Sequence, residues 1–230
     1  SGGSPLIMAA QNEYRPTEYM HAWVRMWLDD AMRLARAKDV FHERVTITCN
    51  AWAKNEFLLK RGVEISDQSV RDFECKIDAA KSETELLSAE GVWAKNLYRL
   101  LASMLGGDGF KREEGMRRYD TGAMRVNSFL DHGNYIAYGY AAVSLYALGI
   151  SFAFPLFHGK TRRGGLVFDI ADLMKDAYVM PAAFEFGIVG VPARRFREAL
   201  IDIFHGIGVV DRMIDIIKQT IESSATKTSL

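Results

Sequence analysis

Three stretches of this sequence hold residue types that bind cations or phosphates. Glu90 is the first. Leu86, Leu87, Trp93, Ala94, Leu97 and Leu101 stand around it at helical spacings, an apolar face with one carboxylate in its middle. A carboxylate on such a face requires a partner, since burying it alone is costly. An arginine from another helix would serve as well as a metal ion, and the pattern alone leaves both open. The second stretch is His158-Gly159-Lys160-Thr161-Arg162-Arg163-Gly164-Gly165, an imidazole beside three cations and three glycines directly after an apolar segment. Glycines let backbone approach a phosphate and Lys and Arg neutralise it, although a solvated basic loop has the same composition. The third is Asp169 and Asp172, three apart and so on one helical face. Acids at a helix start are stabilised by the dipole, which accounts for Asp169 better than for Asp172.

Together, one Glu, one His and an Asp pair form a mixed oxygen and nitrogen donor set suited to Mg²⁺ or Mn²⁺. Beside Lys160, Arg162 and Arg163, a divalent ion held there would serve phosphodiester chemistry. Lys95 and Arg99, a basic pair on the face of the same helix opposite Glu90, are candidate phosphate contacts, although most such pairs are solvated surface.

The elements that must position these groups read as helices. Pro16-Thr17-Glu18 opens a helix expected to run to about Lys38, while Thr46-Ile47-Thr48 is locally strand-like. Helical patterns follow over 51–60 and 66–80. Ser82-Glu83-Thr84-Glu85 is a capping box opening a helix to Leu105, where Gly106-Gly107 ends it. The charged, Gly-punctuated 110–122 reads as a loop, and 125–148 as a long helix. Beyond the 157–165 loop, helices are expected near 168–175, 181–188, 192–204 and 209–222. The four tryptophans, Trp23, Trp27, Trp52 and Trp93, fall at helical spacings among apolar residues and read as core.

Lys+Arg and Asp+Glu are both 29, so bulk charge cannot drive nucleic-acid binding and local clusters must. Cys49 and Cys75 lack CxxC spacing and read as reduced thiols of a cytoplasmic protein. The most apolar stretch, 143–157, is broken by Gly149 and Pro155, so it reads as core and not as a membrane span. Residues 1–16 read as a linker remnant, 17–222 as the domain and 223–230 as a flexible tail. The opening Ser1-Gly2-Gly3-Ser4-Pro5 lacks a methionine, as a cut inside a longer protein or an expression scar would.

At these residues the sequence resembles the CRISPR-associated integrase family, most closely its type I-F branch. The stretches that carry the resemblance are Gly2–Leu6, Tyr14–Tyr19, Glu90–Lys95, Asn134–Gly139 and, most specifically, His158–Leu173. It covers nearly all of the chain. The resemblance implies an all-α, multi-helix catalytic domain without the family's N-terminal β-rich domain. It implies Glu90, His158 and Asp172 as metal ligands and catalytic residues, with Asp169 supporting, and a metal-dependent DNA endonuclease and integrase that inserts captured DNA as new spacers by transesterification. It also implies a homodimer around a second adaptation protein, fused in this branch to a helicase-nuclease. A structure-selective nuclease that does not integrate, and a non-catalytic DNA-binding scaffold, are the alternatives.

Overall fold

A computed structural model describes residues 17–106, 110–159 and 164–225, with side chains to residue 222 at the C-terminal end. All regular structure among them is helical, in agreement with the all-α expectation. The order is α1 (Glu18–Leu28), α2 (Asp30–Trp52), α3 (Glu56–Leu59), α4 (Asp67–Ala79), α5 (Glu83–Ala102), α6 (Gly122–Ala147), α7 (Gly165–Met174), α8 (Met180–Val189), α9 (Ala193–Gly206) and α10 (Val209–Ala225).

The expected single helix from Pro16 to Lys38 is two. Asp29 takes an extended conformation and its carboxylate accepts the Met32 N–H at 2.9 Å, so α2 starts afresh with its own cap. The strand-like Thr46-Ile47-Thr48 is also helical. Ile47 and Thr48 are buried within α2, and the Thr48 hydroxyl donates to the Arg44 carbonyl at 2.7 Å. Tertiary burial overrides a weak β preference there, and the hydroxyl finds an acceptor inside the helix. Ser82 caps α5 by accepting the Glu85 N–H, while Glu85 reaches back one residue further than expected, to the Lys81 N–H at 2.7 Å.

The helices expected near 168–175 and 181–188 are one continuous rod. A five-residue π-helical turn, Lys175–Val179, joins α7 to α8. Such a turn inserts a residue into the α ladder and re-aims the side chains around it. Here α2 packs along α7 and the π turn, and α6 packs along α7, the π turn and α8, so the rod is held between the two longest helices. Gly133 of α6 makes the close approach possible: a Cβ there would run into Val179 of the π turn and lie 3.2 Å from Leu200. No helix among the described residues is long and apolar enough to cross a membrane.

Candidate metal centre

The segment before α7 carries His158, and it is fastened from three sides. Trp23 and Trp27 of α1 donate their indole N–H groups to the carbonyls of Phe154 and Pro155, at 3.0 and 2.7 Å. Asp169, fully buried on α7, accepts the backbone N–H of Leu156 at 2.5 Å and that of His158 at 3.2 Å. Gly165, the first residue of α7, lies so close to Pro155 that a Cβ would approach its ring to 2.9 Å.

Asp169 also fixes the imidazole. Its Oδ1 lies 2.6 Å from His158 Nδ1. An ionised carboxylate only accepts, so Nδ1 carries a proton and Nε2 is the ring nitrogen turned toward Asp172. Burial pushes the Asp169 carboxyl up, and the contacts from His158 and the Leu156 N–H oppose this in part. His158 Nε2 faces Asp172 Oδ2 at 3.7 Å, beyond hydrogen-bond distance. The imidazole is thus held from behind by a carboxylate in the manner of metal-binding histidines.

The rest of the cluster is built around Arg44 of α2. Its Nε donates to Asp176 Oδ2 at 2.8 Å, and its Nη1 donates to Glu90 Oε1 at 3.0 Å and stands 3.8 Å from Asp172 Oδ2. Asp172 Oδ1 takes Lys175 Nζ at 2.6 Å. Asp176 sits in the π turn and is anchored twice more: Trp93 Nε1 donates to its Oδ2 at 3.1 Å and Trp52 Nε1 to its carbonyl at 2.9 Å. Trp93 stacks on Phe73 with ring centroids 4.8 Å apart, which fixes the donating indole. Burial alone would raise the Asp172 carboxyl, but Lys175, then Arg44 and His158, outweigh it and hold it below the usual range. Burial likewise works against charge on Arg44 and Lys175, and their acid partners reverse this, raising both.

The structure thus brings Glu90, His158, Asp169 and Asp172 into one cluster. Glu90 Oε1 and Asp172 Oδ2 flank the same guanidinium nitrogen and so lie within about 7 Å of each other, close enough to share an ion after a side-chain rotation. Glu90 is partly exposed, whereas Asp169, Asp172 and Asp176 are buried. Among the described residues no three His, Cys, Asp or Glu side chains are already gathered as a ligand set. Two cations, Arg44 and Lys175, occupy the carboxylates instead, so the ion-pair reading of Glu90 is realised. The donor chemistry still fits a hard divalent ion, because two bonds of about 2.1 Å to one ion span the gap between Nε2 and Oδ2.

Lys95 and Arg99 are not brought to the cluster. They lie about 140° and 180° around α5 from Glu90, exposed, with Arg99 bonded to Asn96. Lys160, Arg162 and Arg163 lie outside the described residues. All four tryptophans pack as expected, with Trp27 only partly buried. Arg44 and Asp176 escaped sequence reasoning although a signal existed. Arg33, Arg36 and Arg44 share the α2 face of Ala37, Val40 and Phe41, and Asp176 extends the 169/172 spacing by four.

Residues 1–186 match the family described as CRISPR associated protein Cas1. This chain belongs to the Cas1 family. A Cas1 relative, the CRISPR-associated endonuclease Cas1 of Pseudomonas aeruginosa (strain UCBPP-PA14), is 35% identical over 238 residues, covering 97% of this chain and 72% of its own. Among solved structures, a TtCas1–DNA complex superposes with a TM-score of 0.67 at 22% identity, over 96% of this chain and 72% of that one. A casposase bound to its integration product superposes with a TM-score of 0.74 at 14% identity, over 96% and 70%. These two likenesses establish a shared Cas1-type fold.

Proposed function

We propose that this Cas1-family chain is a metal-dependent DNA endonuclease and integrase of CRISPR adaptation, with Glu90, His158 and Asp172 as its metal ligands and Asp169 as their support. One observation carries the reading: His158 Nε2 and Asp172 Oδ2 face each other at 3.7 Å, beyond hydrogen-bond distance, across a gap that a cation fits. The endonuclease name of the Pseudomonas relative, the DNA bound to TtCas1 and the integration product held by the casposase support the same chemistry.

A Mg²⁺ or Mn²⁺ ion bound between these groups supplies Lewis acidity and eases deprotonation of an attacking hydroxyl. The protein's own residues do the rest. Asp169 holds the imidazole in the Nδ1–H tautomer, and Lys175 pins one oxygen of Asp172 so that the other faces inward. Lys160, Arg162 and Arg163, next to His158 in sequence, hold flanking phosphates. Lys95 and Arg99, on the far side of α5, serve at most a remote stretch of DNA. In the reaction a P–O bond forms to the 3′ oxygen of the captured fragment as the P–O bond to the leaving oxygen of the repeat breaks. The proton passes from the attacking hydroxyl to the leaving oxygen.

The partners in this reading are a second copy of the chain and the second adaptation protein of the system, fused to a helicase-nuclease. The test supplies a 3′-hydroxyl donor duplex and a repeat target with Mn²⁺ and looks for joined half-site product. Glu90→Gln, His158→Ala and Asp172→Asn should each reduce cleavage and joining to background, and full activity in any one of them overturns the reading. Cleavage of branched DNA without joined product would favour a plain nuclease. Metal-independent DNA binding, unmoved by Asp172→Asn, would favour a scaffold.

A further inference from the structure

Arg44 is the least expected member of the cluster. Its guanidinium is buried and faces three carboxylates on three segments: Glu90 on α5, Asp172 on α7 and Asp176 in the π turn. The three contacts are unequal. Asp176 Oδ2 is at 2.8 Å, is buried and has a Trp93 hydrogen bond of its own, so this arm is anchored at both ends. Glu90, at 3.0 Å, is the most exposed acid of the three, and Asp172 Oδ2 is beyond hydrogen-bond reach at 3.8 Å. The Nη1 arm therefore points into the space between Glu90 and Asp172, the two carboxylates that the proposed function assigns to the metal.

We infer that Arg44 is the positioning residue of the metal centre: a tethered cation that stands in for the divalent ion between Glu90 and Asp172, releases those two through Nη1 when the ion enters, and keeps Asp176 through Nε. The inference rests on the proposed metal site. The reasoning is electrostatic. Glu90, Asp169, Asp172 and Asp176 crowd one poorly solvated space, and without Arg44 the described residues left to oppose their charge in the metal-free protein would be Lys175 and His158. Like charges that close repel strongly at low effective dielectric, so the cage needs a resident cation to stay folded and in register. The same guanidinium then competes with the incoming ion for Glu90 and Asp172. The fork of the side chain lets one arm leave while the other stays, which a lysine cannot do.

The experiment measures Mn²⁺ binding to the EDTA-stripped, full chain by isothermal calorimetry and by the Mn²⁺-induced rise in melting temperature, for the wild type, Arg44→Gln and Arg44→Lys. Arg44→Gln should melt lower without metal, bind Mn²⁺ at least tenfold more tightly, and recover most of the lost melting temperature at saturating Mn²⁺. Arg44→Lys keeps the charge but loses the fork, so it should melt below the wild type without metal and bind Mn²⁺ less tightly than Arg44→Gln. A purely structural arginine would lower the metal-free melting temperature without tightening Mn²⁺ binding, and that result overturns the inference. A measurement on the wild type stands in if Arg44→Gln does not fold. With ¹⁵N-arginine labelling, Mg²⁺ should shift the Arg44 Nη resonances and leave its Nε resonance near its metal-free position. Unchanged Nη resonances at saturating Mg²⁺ overturn the inference while leaving the metal site intact. Failure of the wild type to bind either ion sinks this inference and the proposed function together.

Discussion

Replacing Asp176 tests whether the buried ion network, and not apolar packing alone, holds the π turn against α2 and α5. Asp176→Ala removes the acceptor of the Arg44 Nε bond and of the Trp93 indole bond, both to the same oxygen. Breaking a buried ion pair by deleting one partner costs about 3–5 kcal/mol. Arg44 keeps Glu90 at 3.0 Å and Asp172 at 3.8 Å, which places the loss at about 3 kcal/mol, the low end of that range. The stranded Trp93 N–H adds about 1 kcal/mol, for about 4 kcal/mol in all. In a domain of this size each kcal/mol moves the melting temperature by about 2–4 °C, so a fall of about 8–16 °C is expected. Asp176→Asn keeps an acceptor oxygen and loses only the charge, and should cost about half as much. Urea denaturation in EDTA, with circular dichroism as the probe, measures both. A loss below about 1 kcal/mol in Asp176→Ala would refute the reasoning, because the network would then contribute no more than a surface pair.

Other expectations follow from the same packing. Gly133→Ala should destabilise by about 1–3 kcal/mol, because the new methyl overlaps Val179 in the π turn. Val179→Ala in the same chain should recover part of that loss in the same denaturation assay, and additive losses would remove the explanation. His158→Asn, whose amide can keep a donor near the Nδ1 position toward Asp169 but has no counterpart of Nε2, should abolish Mn²⁺ stabilisation while lowering metal-free stability by about 1–3 kcal/mol. His132 supplies a pH dependence. Burial, then Arg197, lowers its pKa against the opposing Asp131, and its buried Nδ1 makes no hydrogen bond among the described residues. A histidine depressed in the folded state binds its proton better when unfolded. Its neutral form therefore supports the fold fully above the unfolded value of about 6.5, and that support is lost as the pH falls below it. Melting temperatures between about pH 5 and 7 should rise with pH in the wild type and rise less steeply in His132→Asn; an equal slope would dismiss the assignment.

The helices and three of the four acids of the cluster were legible because each leaves a local mark. Glu90 interrupts an apolar face, Asp169 and Asp172 share a spacing, and His158 follows an apolar segment in an unusual string of glycines and cations. Arg44 left a weaker mark, a cation on an apolar stripe of α2, and its role depends on contacts across 46 and 132 residues that no local pattern encodes. Asp176 reads as an ordinary helical acid until the π turn rotates it toward Trp93. Thr46-Ile47-Thr48 misled for the opposite reason: its β-branched residues mark strand locally, but α2 buries Ile47 and Thr48 between neighbouring helices and leaves Thr46 exposed. The basic residues Lys95 and Arg99 share a helix with Glu90, and helical geometry alone carries them to its other side.

The claim on which the account depends is a divalent ion shared by Glu90, His158 and Asp172. Crystals soaked in Mn²⁺ and measured at an energy where manganese scatters anomalously test it most directly. The account predicts one peak within about 2.0–2.6 Å of His158 Nε2 and of Asp172 and Glu90 oxygens, with the Arg44 Nη1 arm displaced from that point. A peak elsewhere, or none in a crystal where these side chains are ordered, would contradict it.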